Sequence, residues 1–77
     1  MKYFYKTEFG TFFIIPSYDG VELWIKELLG SEEKLGSYPN AQMAADDVYR
    51  CATGYTDWDL QIDVDEPSDL EEWSKLQ

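Results

Sequence analysis

The sequence predicts an α+β domain in which a four-stranded antiparallel sheet, mostly a meander, packs one face on a main helix. That helix spans about residues 41–53, and a short C-terminal helix at about 68–75 closes the edge. Three observations carry this reading. Up to Tyr38, short apolar and aromatic runs alternate with turn signals, the spacing of strands joined by hairpins. Asp19-Gly20 is a strong hairpin signal. On a helical wheel Ala41, Ala44, Ala45, Val48, Cys51 and Ala52 fall on one side, and Gln42, Asp46, Asp47, Arg50 and Thr53 on the other. So alanine-rich an inner face lets a helix lie close against a sheet.

The elements follow in order. Lys2-Tyr3-Phe4-Tyr5-Lys6, rich in aromatics, reads as the first strand. Thr7-Glu8-Phe9-Gly10 turns the chain, with Gly10 free to take a positive φ. Thr11 to Ile15 is the second strand; its two apolar faces place it near the sheet centre, and Pro16 is expected to end its pairing. Val21, Leu23 and Ile25 alternate with Glu22, Trp24 and Lys26 in the third strand, and after a loop Glu33 to Tyr38 forms the fourth. Asn40 suits the N-cap of the main helix and Gly54 the C′ position beyond it, while Asp46 and Arg50 make an (i, i+4) pair. Leu60, Ile62 and Val64 alternate with Gln61, Asp63 and Asp65, which fits either a fifth strand or an extended segment over the core. Ser68 and Glu71 form a capping box for the last helix, on which Leu70 and Trp73 share a face. Trp58 and Trp73 are expected to be at least partly buried, because a disordered acidic tail does not concentrate apolar surface in this way.

The 77 residues make one domain, 1–77, with a small core in which three Trp, six Tyr and four Phe supply much of the buried area. Cys51 is the one cysteine, so no intrachain disulfide forms, and the expected setting is cytoplasmic. No leader pattern and no membrane-spanning run is read in the sequence. Sixteen acids face six bases, a net charge of −10. Residues 1–50 carry eight acids and five bases, whereas residues 51–77 carry eight acids and Lys75 alone. That balance repels phosphate backbones and anionic lipid heads, so neither a nucleic acid nor a membrane is the expected partner.

Candidate chemistry is sparse. Asp57, Asp59, Asp63, Asp65 and Glu66 crowd ten residues and suggest a weak divalent-cation site. EF-hand spacing is absent, since Gln61 takes the place of the third acid and no glycine follows; the pattern fits a solvated acidic face better. Asp46 and Asp47 are neighbours on a helix and cannot face one site together. With no histidine there is no Ser–His or Cys–His nucleophile and no usual zinc ligand. Cys51 reads as an inner-face thiol, and the glycines form no phosphate-binding signature. We therefore expect no catalytic residue, no cofactor and no enzyme. Tyr18, Trp24, Tyr55 and Trp58, with Tyr38, either line a recognition surface or fill the core. The expected function is a non-enzymatic protein-interaction or regulatory domain, monomeric or weakly dimeric, with a protein partner. The alternatives are an acidic nucleic-acid mimic that occupies a DNA-binding protein, and a weak cation-binding protein.

The run Leu35-Gly36-Ser37-Tyr38, followed by Ala41, Ala44, Ala45 and Tyr49, resembles the strand-to-helix junction of AP2-type DNA-binding domains over about residues 20–54. The resemblance implies a small antiparallel sheet backed by an alanine-rich helix. It implies shared layout only, because the sheet carries Glu22, Trp24 and Lys26 in place of a row of arginines. More broadly, the chain resembles small bacterial proteins.

Overall fold

The alternation of inward and outward side chains between Lys2 and Tyr38 resolves into a four-strand meander in the structure, a computed structural model that describes residues 2–60 and 70–76. Its strands are β1 (Lys2–Thr7), β2 (Gly10–Ser17), β3 (Gly20–Glu27) and β4 (Glu32–Tyr38). Helix α1 (Ala41–Tyr49) and the single turn α2 (Thr56–Asp59) follow, and after them a 3₁₀ turn at Leu70–Glu72 and strand β5 (Ser74–Leu76). The sheet thus has five strands, one more than the sequence predicts, in the order β4-β3-β2-β1-β5. Every neighbouring pair is antiparallel.

The extra strand arises at the far end of the chain. Leu60 is the C-cap of α2, and the rest of the 60–64 alternation lies outside the described residues. Instead Ser74–Leu76 pairs with β1, through Phe4↔Ser74 and Lys2↔Leu76. The helix expected at 68–75 is replaced, within the described residues, by the 3₁₀ turn and β5. The physical reason is the open edge of β1. A two-turn helix is marginal by itself, whereas a strand there pairs N–H and C=O groups that the edge would leave open.

Turn chemistry sets the register of the meander. The Thr7 hydroxyl donates to the Gly10 carbonyl at 2.8 Å and accepts from the Phe9 N–H at 3.1 Å, which tightens the β1–β2 turn. Gly10 has φ +147°, and a Cβ there would lie 2.5 Å from the Lys26 carbonyl oxygen, so only glycine fits. Pairing on β2 runs through Pro16, opposite Val21, to Ser17 instead of ending at the proline. Pro16 lies past Ile14, the last β2 residue paired with β1 among the described residues, which is where a proline is tolerated in a sheet. In β4, Leu23 faces Gly36 and Trp24 faces Lys34, so a bulge leaves Leu35 unopposed and packed on the core.

Asn40 caps α1 as expected, its side chain accepting from the Met43 N–H at 3.0 Å. The helix ends at Tyr49, with Arg50 as C-cap, and is shorter than the predicted 41–53. Cys51 takes the left-handed conformation at φ +56°. Its N–H bonds the Val48 carbonyl at 3.2 Å, and the Ala52 N–H bonds the Asp47 carbonyl at 2.9 Å. This is a Schellman closure with cysteine at the position usually held by glycine. It frees residues 52–60 to fold back under the helix.

The core lies between sheet and helix. Phe12, Ile14, Leu23 and Ile25 meet Ala44, Ala45 and Val48, and Tyr55, Trp58 and Trp73 complete the cluster. Both tryptophans are buried, as the apolar content of the C-terminal third predicts. Because Ala45 is buried and Arg50 is exposed, Ala45→Arg should cost more than about 3 kcal/mol through overpacking and a buried charge. Arg50→Ala should change stability by less than about 1 kcal/mol. Chemical denaturation of the two variants checks this, and equal midpoints would reverse the helix orientation.

Candidate interaction surface on the open face of the sheet

The residues that point away from α1 form a second, patterned face. Register puts Phe4, Phe13, Trp24 and Lys34 side by side in one row across β1 to β4. A neighbouring row holds Lys6, Thr11, Lys26 and Glu32. On the other side of the aromatic row, β2 and β3 place Ile15 opposite Glu22, with Lys2 at the near end of β1. Phe4, Phe13, Ile15 and Trp24 are half-buried, and among the described residues α1 packs on the opposite face only. Phe4 and Phe13 lie 6.4 Å apart, ring centre to ring centre, and the Lys2 ammonium sits 5.6 Å from the Phe13 ring centre.

Charge on this face runs against the rest of the molecule. Four of the six basic residues (Lys2, Lys6, Lys26 and Lys34) share it, beside two carboxylates, Glu22 and Glu32. Glu22 accepts from the Trp24 indole N–H at 3.0 Å and pairs with Lys34 at 3.5 Å. The indole hydrogen bond, and then Lys34, hold its carboxyl below the usual range against the opposing pull of desolvation. Lys2, Lys6 and Lys26 have no carboxylate partner among the described residues.

Two shallow depressions mark the surface. One, of about 420 Å³, is floored by Phe4 and Phe13 and walled by Lys6, Gly10, Thr11, Lys26, Glu27 and Leu28. The other, of about 250 Å³, is lined by Lys2, Phe13, Ile15, Trp24 and Glu32. Phe13 is the ridge between them.

The aromatic residues singled out in the sequence separate. Trp24 lies on the open face. Tyr18 is fully exposed in the β2–β3 turn, and Tyr55 and Trp58 are core residues, not surface ones. Sequence reasoning missed Lys2, Phe4, Lys6, Phe13 and Lys34 as members of one surface. The signal for part of it was present: Lys2, Phe4 and Lys6 occupy alternate positions of β1, so they share a face.

The acidic candidates lead elsewhere. The two oxygens of Asp59 accept from the Thr53 N–H and hydroxyl, at 3.0 and 2.8 Å, and from the Gly54 N–H at 2.8 Å. Asp63 and Asp65 lie outside the described residues, and the placement of the Asp57 side chain does too. Among the described residues no group of three or more acids or cysteines that could hold a metal ion occurs. Nor is any helix there long and apolar enough to cross a membrane.

Tyr38 ties β4 to α1, its hydroxyl donating to an Asp47 carboxylate oxygen at 2.7 Å. Burial foremost, then that hydrogen bond and the negative charges of Asp47 and Asp59, push its phenol well above the usual tyrosine range. The folded state therefore holds this proton longer than the unfolded chain. Its contribution is complete below about pH 10, the unfolded tyrosine value, and is lost as pH rises beyond that. Denaturation midpoints measured on either side of that pH should fall less steeply for Tyr38→Phe than for the parent. An identical fall in both would remove Tyr38 as a cause.

Comparison with known proteins finds no matching family model, no matching curated protein and no matching solved structure.

Proposed function

We propose that this chain is a non-enzymatic protein-interaction domain that works through the open face of its sheet. The observation that carries the reading is the aromatic row Phe4–Phe13–Trp24, left without a packed helix among the described residues and set among four lysines. Contiguous apolar surface rimmed by polar groups marks interaction sites, and Trp is a frequent anchor residue there. The chemistry of the remaining described residues supports binding over catalysis. The chain has no histidine, Cys51 closes a helix, and Asp59 and Asp47 hold internal hydrogen bonds. A cytoplasmic setting fits the single cysteine.

The test compares the parent protein with Phe13→Ser as immobilised baits. A partner retained by the parent, and lost when the ridge of the open face is removed from a still-folded domain, supports the reading. Partners retained equally by Phe13→Ser and lost on Arg50→Glu, at the end of α1, would move the working surface to the helix side.

A further inference from the structure

Resting on the reading of the open face as the working surface, we propose that its occupant is an extended acidic segment of a partner protein, with apolar side chains between carboxylates. The chain is strongly acidic, yet four of its six cations lie beside the half-buried rings of the open face. Three of the four lysines on that face lack an internal carboxylate partner among the described residues, in a chain with sixteen acids available. Lysines left in this state offer charge complementarity to an anionic ligand.

The shape of the surface sets the spacing. From Thr11 to Ile15 the two depressions lie end to end along β2, with Lys6 and Lys26 flanking the first and Lys2 beside the second. Four residues of strand cover about 13 Å, so an extended peptide laid along β2 places side chains of the same parity on Phe4, Phe13 and Ile15. Carboxylates about four residues apart then reach the lysines at the two ends. A polymer of phosphates fits less well. Glu22 and Glu32 lie among the lysines and would oppose regularly spaced phosphates, and the net charge of −10 repels a long polyanion beyond the immediate contact.

Selection from a displayed random-peptide library against the intact domain tests this. Enriched peptides should carry an acidic residue, apolar or aromatic residues, and a second acidic residue about four positions on, the extended-strand spacing. Their binding should shift the amide resonances of β1 to β3, and weaken at least about tenfold on raising salt from low to high and in Lys6→Glu/Lys26→Glu. Both lysines are exposed, so this variant keeps the fold, which its amide spectrum verifies. Enriched neutral or cationic peptides that still map to the open face would overturn the acidic occupant while leaving the working surface intact. Peptides that map to α1, or no enrichment at all, would overturn both. A single-stranded oligothymidine bound at the same residues more tightly than the best peptide would make the occupant a nucleic acid. Concentration-dependent shifts of the same residues without peptide would make it a second copy of this chain.

Discussion

Trp58→Ala is expected to leave no cooperative thermal transition. Trp58 is fully buried, it packs edge-to-face with Phe12 and Phe9 at 5.2 and 6.2 Å between ring centres, and its indole N–H donates to the Val48 carbonyl at 2.9 Å. Removing a buried tryptophan costs about 3–5 kcal/mol, and here one of the acceptor's hydrogen bonds is lost with it. The whole domain has roughly 4–12 kcal/mol to lose, at ordinary stability per residue. Trp58→Phe retains the ring packing and loses the donor, so it should cost about 1–2 kcal/mol and still melt cooperatively. Thermal scans followed by circular dichroism measure both. A Trp58→Ala protein melting within a few degrees of the parent would show that the sheet–helix core closes without this ring.

Asp59→Ala should cost about 2–3 kcal/mol. The carboxylate fixes the return of the chain after α1, because it accepts two backbone N–H groups and the hydroxyl of the buried Thr53. The Thr53 hydroxyl in turn accepts from the Tyr55 N–H at 3.0 Å, so the substitution loosens the turn that delivers Tyr55 and Trp58 to the core. Asp59→Asn keeps one carbonyl oxygen and should fall between alanine and the parent. Urea midpoints measure the series, and the loss from a structural carboxylate is the same with and without added calcium. A loss that appears only when calcium is present would instead return Asp59 to the cation reading.

Local chemistry made most of the meander legible. The tight turn from Ser17 to Gly20 and the Val21–Leu23–Ile25 alternation fix β3, and Asn40 with the alanine face fixes α1. What was hidden depends on distant partners. Ser74–Leu76 is too short to announce a strand and exists because the β1 edge receives it. The end of α1 was placed too late because glycine is the expected left-handed residue, and Cys51 takes that conformation three positions before Gly54. The candidate surface was hidden for the same kind of reason. Its lysines come from three strands, and only the register of the three hairpins, with the β4 bulge, brings them to one face.

The strand order also fixes a sequence of events in time. The three hairpin contacts of β1 to β4 join near neighbours in the chain, and short loops close fast. The β1–β5 ladder joins Lys2 to Leu76, a closure that spans almost the whole chain and carries the largest entropic barrier in the fold. The meander and its helix are therefore able to assemble first, with β1 as a waiting edge. Docking of β5 is then expected to be the late step, and its backbone amides are expected to be the first in the sheet to exchange with solvent.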